Sequence, residues 1–100
     1  MNNMNKVLIE GKILLPSVDY VNDDVYFTIR TTRFYKKDGK GVTDEQFIPV
    51  KAESKLRELT RTKLAAGRNE VRIEGRLEGL MVVAQFIEFK KDYVTDVSMV

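Results

Sequence analysis

Residues 6–15 alternate: Val7, Ile9, Gly11 and Ile13 fall on one face, and Leu8, Glu10, Lys12 and Leu14 on the other. A period of two predicts a half-buried strand. Gly11 inside it predicts a bend or bulge, as a strand curling into a barrel requires. Pro16 ends the strand, and residues 17–24 read as a polar loop. A second strand is predicted over 25–35, with Val25, Phe27, Ile29 and Thr31 opposite Tyr26, Thr28, Arg30 and Thr32. Asp38-Gly39 marks a turn. The chain returns through a third strand over 46–52. There Pro49 has no ladder donor, so it is placed at a bulge or an unpaired position.

The period then changes. Ser54 is suited to cap a helix over roughly 55–66, with Leu56, Leu59 and Leu64 on its apolar side. Gly67 is placed to stop it. Two more strands follow. Residues 69–78 put Val71, Ile73, Gly75 and Leu77 opposite Arg72, Glu74, Arg76 and Glu78. A tight turn at Glu78-Gly79 leads into residues 80–90, where Val83, Ile87 and Phe89 look inward and Phe86 outward. Met81, Val82 and Phe86 are core residues or, if exposed, a subunit interface. The fold class is all-β with one helix. A helix between strands 3 and 4 of five is the arrangement of the OB-fold, a partly open Greek-key barrel. The domain is read as 1–91, with 92–100 a tail that carries no periodicity.

Composition narrows the chemistry. The 100 residues suit one domain. There is no cysteine and no histidine, so disulfides, thiolate metal sites and the commonest general base are excluded. The remaining carboxylates form no cluster with ligand spacing, and no Walker-type phosphate loop is present. An enzyme is not expected, nor is a cofactor. No apolar run is long enough to cross a bilayer and no signal-peptide pattern opens the chain; a cytoplasmic protein without membrane contact is expected.

The net charge is only +2, but its distribution matters more. Arg30, Arg33, Lys36, Lys37 and Lys40 crowd around Phe34 and Tyr35, with only Asp38 opposing them. Cations for phosphates, interleaved with rings for bases, are what a sequence-tolerant single-strand binder needs. The alternative is a solvated hairpin with two ordinary strand aromatics. Lys12, Arg72 and Arg76 either extend a groove across the barrel or pair with Glu10, Glu74 and Glu78. Lys51 flanks the same face. The helix cations read as a solvated surface.

Four segments carry a family resemblance. Asn5-Lys6-Val7-Leu8-Ile9-Glu10-Gly11-Lys12-Ile13 resembles the opening strand of bacterial single-stranded DNA-binding proteins. Phe47-Ile48-Pro49-Val50 with Lys55-Leu56 resembles their third strand and helix start. Val71-Arg72-Ile73-Glu74-Gly75-Arg76-Leu77 resembles their fourth strand, and Ile87-Glu88-Phe89 their last. The match runs in order over roughly residues 4–90. The resemblance implies an OB barrel that binds single-stranded DNA with little sequence specificity, in replication, recombination or repair. It also implies a homo-oligomer, a dimer or tetramer, built partly by pairing first strands.

Tyr35 and Phe47 match two positions at which this family stacks bases. Of the neighbours Phe34 and Tyr35, one is expected to pack inward, and Tyr35 is favoured as the exposed ring. The chain also departs from the family. Glu53 stands where Phe or Trp is usual before the helix, the hairpin between the last two strands is reduced to Glu78-Gly79, and the glycine-rich, acid-tipped tail is absent. These departures suit a short, divergent member with weaker binding, such as one from a phage or mobile element, or a relative of the primosomal replication protein. They also suit an OB-fold adaptor acting mainly through replication-restart or mobile-element proteins. RNA or tRNA is a further candidate ligand.

Overall fold

The computed structural model describes residues 4–90. Six strands and one α-helix follow in the order β1 (Val7–Ile13), β2 (Asp19–Val21), β3 (Asp24–Lys37), β4 (Lys40–Ala52), α1 (Ser54–Ala65), β5 (Glu70–Glu78) and β6 (Met81–Phe89), with a single 3-10 turn at Leu15–Ser17 between β1 and β2. They form one sheet in the order β1-β5-β6-β4-β3-β2, and β1 also pairs with β3. Five strands thus close a ring, and β2 lies outside it on the edge of β3. The five-strand reading is corrected to six. The polar loop over 17–24 contains a three-residue strand, held by pairing to β3 and by Tyr20, whose ring lies under the Arg57 guanidinium at 5.3 Å.

Closure depends on two glycines. Just past Gly11, β1 gains a second neighbour: Lys12 still faces Glu70 of β5 while Lys12 and Ile13 pair with Arg30 and Ile29 of β3. A Cβ on Gly11 would stand 2.4 Å from the Arg30 carbonyl oxygen, so the crossing backbones leave room only for hydrogen. At Gly75 a Cβ would meet the Val83 carbonyl oxygen at 2.2 Å. Beside it the β5–β6 register slips, Glu74 facing Phe86 and Gly75 facing Ala84, so Gln85 is the extra residue of a bulge that sharpens the local bend.

The core is the inward face of the alternation: Ile13, Val25, Phe27, Ile29, Val50, Ala52, Val71, Ile73, Val82, Ala84 and Ile87, with Leu56 of the helix packed on them. Phe89 is partly buried against this core, whereas Leu77, placed on the same face, is exposed beyond its edge. Val83 is also buried, but the register places it on the other face of β6, opposite Arg76. On the helix, Leu56, Thr60 and Leu64 face inward while Leu59 is exposed. At about 100° per residue, the i+4 step follows the contact stripe and the i+3 step leaves it on the other side. Ser54 is the first helical residue and not the cap. Glu53 takes the cap position, without a side-chain bond to the helix.

The helix stop is as expected. Gly67 adopts φ +81°, its N–H donates to the Leu64 carbonyl, and that of Arg68 donates to the Lys63 carbonyl. That pair of bonds defines a Schellman ending.

Candidate nucleic-acid interface

The longest feature is the β3–β4 hairpin. The pairing is unbroken from Val25↔Ala52 to Lys37↔Lys40, so β3 runs past Tyr35 and β4 begins well before residue 46. Asp38 and Gly39 at the tip take φ of +53° and +78°, as a two-residue type I′ turn demands. Pro49 fits this ladder without a bulge. Its partner Thr28 directs its N–H to the Ser17 hydroxyl and its carbonyl to the Leu14 N–H, away from β4. Proline's missing donor therefore falls on the outer side of β4, where pairing with β6 begins only at Val50.

Near the barrel, one face of this hairpin carries Val25, Phe27, Ile29, Val50 and Ala52 into the core. Beyond Thr31 no core among the described residues covers it, and the hairpin continues as an arm whose β3 side chains from Thr32 to Lys37 are all exposed. The arm has two faces, because successive side chains point to opposite sides.

The outer face runs, pair by pair, Arg30 with Phe47, Thr32 with Glu45, Phe34 with Thr43 and Lys36 with Gly41. Phe34 is 77 % exposed and Phe47 58 %. The register places these two rows four residues apart, ~13 Å along the strands. The opposite face runs Arg33 with Asp44, Tyr35 with Val42 and Lys37 with Lys40. Here the Arg33 guanidinium lies 4.6 Å from the Tyr35 ring centroid and 3.4 Å from the Asp44 carboxylate. Tyr35 is 38 % exposed. The expectation of one ring inward and Tyr35 outward is therefore corrected. Neither ring enters the core, since the arm has left the barrel, and Phe34 is the more open because Arg33 covers part of Tyr35.

The cations sort into two groups. Arg30, Lys36, Lys37 and Lys40 have no carboxylate partner among the described residues. Lys12 lies beside Arg30 on the outer surface but reaches Glu70 at 3.8 Å, and Lys51 reaches Asp24 at 3.8 Å. Arg72 bonds Glu10 at 3.1 Å. Arg76 is held between Glu78 and Glu53, the latter at 3.8 Å, which gives Glu53 a structural partner. Lys90 and Arg72 together hold the Glu10 carboxyl below the usual carboxylate range. The structure thus brings together Arg30, Phe34, Lys36 and Phe47 on one face, places Arg33, Tyr35, Lys37 and Lys40 on the other, and leaves Lys12, Lys51, Arg72 and Arg76 in ion pairs. Glu45 reads in sequence only as half of an acidic pair with Asp44. Pairing register separates the two and sets Glu45 between the exposed phenylalanines.

Outside the arm, Leu8, Leu77, Leu80 and Phe86 are exposed. Met81 is half-buried and Val82 is core. Among the described residues no three acidic groups converge as a metal site would need, and no helix is long and apolar enough to cross a membrane. The expected tail over 92–100 lies outside the described residues.

No family profile and no curated protein matches the sequence. Solved structures do match. A small single-stranded DNA binding protein from Mycoplasma pneumoniae is 22 % identical, with 91 % of this chain and 97 % of that one covered and a TM-score of 0.64. The Plasmodium falciparum SSB, solved in complex with ssDNA, is 12 % identical over 91 % of this chain and 98 % of its own, with a TM-score of 0.68. A deletion mutant of the single-stranded DNA binding protein from Thermus aquaticus is 14 % identical over 88 % of this chain and 51 % of its own, with a TM-score of 0.61. What this chain shares with all three is the fold, the barrel of single-stranded DNA-binding proteins.

Proposed function

We propose that this chain binds single-stranded DNA with little sequence preference, as a non-catalytic member of the single-stranded DNA-binding family serving replication, recombination or repair. The observation that carries the reading is the outer face of the arm. Two open phenylalanine rings share it with Arg30 and Lys36, neither of which has an acid partner among the described residues. Bases stack on Phe34 and Phe47, while Arg30 and Lys36, with Lys37 and Lys40 at the tip, meet the backbone. Tyr35 and Arg33 act from the far face. Lys12, Lys51, Arg72 and Arg76 contribute only if their carboxylates release them.

A homo-oligomer suits the barrel. Val7–Gly11 of β1 pairs only with β5 among the described residues, so one edge of this segment is open. Beside it Leu8, Glu74 and Phe86 lie in line across β1, β5 and β6.

The test is titration of a labelled oligo(dT) followed by anisotropy at several salt concentrations. Single-strand binding should exceed duplex binding. The logarithm of affinity should fall with that of salt at a slope of about −3, since four backbone cations act at ~0.7 each. Absence of binding at low salt would sink the reading. It would leave the adaptor reading, which the exposed Leu77 and Leu80 favour; retention of a replication protein on the chain after nuclease treatment would support that one.

A further inference from the structure

Glu45 lies where a pure backbone binder gains nothing from a carboxylate. Its row is midway between the Phe34 and Phe47 rows on the outer face of the arm, opposite Thr32. It is exposed, and among the described residues it makes no ion pair and no side-chain hydrogen bond. The neighbouring acid Asp44 is occupied by Arg33 and Gln46 on the opposite face. An unneutralised carboxylate repels phosphate, so a strand stacked on both rings must turn a base, not its backbone, toward Glu45. The ~13 Å between the two rows leaves room for an intervening nucleotide.

We infer that Glu45 is a specificity-determining residue of this site, accepting hydrogen bonds from the Watson–Crick edge of a guanine held between Phe34 and Phe47. The inference rests on the single-strand reading above. In an unpaired strand that edge is open to side chains. Guanine is the base that offers two adjacent donors there, N1–H and the N2 amine, which match the two oxygens of a carboxylate. Adenine and cytosine offer one amine beside an acceptor nitrogen. Thymine offers one N–H between two carbonyl oxygens, both of which repel a carboxylate. The expected order is guanine first and thymine last. The surrounding stacking and phosphate contacts remain indifferent to the base.

The experiment compares oligo(dT) with the same strand carrying one central guanine, adenine or cytosine, on the parent chain and on Glu45→Gln. The parent should bind the guanine strand about tenfold more tightly than oligo(dT), the size of one good paired contact to a base. In Glu45→Gln that ratio should fall to near one. Equal affinities for all strands on the parent, or a guanine preference that survives in the variant, would overturn the role of Glu45 while leaving single-strand binding intact. No binding of any strand would overturn both.

Discussion

Phe34 and Tyr35 are neighbours of similar size, and nothing in their local sequence says which ring a base would reach. Strand alternation puts them on opposite faces; what differs is the company each face keeps. Tyr35 shares its side with Arg33, which lies against the ring and is itself tied to Asp44. Phe34 has Thr43 across from it and open solvent above. Phe34→Ala should therefore weaken oligo(dT) binding by ~1–3 kcal/mol, and Tyr35→Ala by clearly less, in anisotropy titrations at high salt where stacking dominates. A larger loss at Tyr35 would move the strand to the other face of the arm. Both rings were legible in the sequence as candidates, but their ranking was not, because it depends on a cation–π contact and an ion pair between strands.

The elements themselves were largely legible. Alternation marked the barrel strands, Gly67 marked the helix end, and Asp38-Gly39 marked the hairpin tip. The length of the arm was not, because residues 32–45 have no consistent apolar face and periodicity reports only burial. Their pairing is carried by backbone bonds from a turn whose register is set by two positive φ angles. Residues 17–24 likewise hid a strand too short to show a period. Gly11 tests how closely the elements are fitted. The atom that a Cβ would strike belongs to the backbone of Arg30 and cannot rotate aside, so Gly11→Ala should destabilise by ~1–3 kcal/mol. Thermal unfolding should register this as a Tm lowered by roughly 4–8 °C per kcal/mol. An unchanged Tm would mean that β1 and β3 separate at little cost.

Over the whole molecule, what separates the cations is pairing: among the described residues those of β1 and β5 have acid partners, and Arg30, Lys36, Lys37 and Lys40 of the hairpin have none. Lys12 and Arg72 meet acids on the neighbouring strand, Glu70 and Glu10, and Arg76 meets Glu78 of its own strand and Glu53 before the helix. Glu10 sits at one centre of this network, its carboxyl held low by Lys90 and Arg72. A carboxyl whose folded pKa is below its unfolded value stabilises the fold above the ordinary carboxylate range, and that contribution is lost as pH falls through the lowered value. Glu10→Gln should lower Tm slightly at neutral pH, with the gap to the parent closing under acid. A gap independent of pH would assign Glu10 to packing instead of charge. These exposed pairs add little each; for Arg72 and Arg76, which the sequence left either to a groove or to ion pairs, the structure shows the ion pairs.

The sequence by itself determined that these barrel strands and the helix exist and which residues form most of the core, because burial imposes a period of two on the strands and local turn chemistry acts over a few residues. It also determined that aromatic and basic side chains gather near residues 30–40. Only the tertiary structure decided that this segment leaves the barrel as a two-faced arm. It alone decided which cations have acid partners, and that Glu45 comes to lie between Phe34 and Phe47. Those outcomes depend on strand register and on contacts between residues far apart in the chain, and neither leaves a periodic trace in a single sequence.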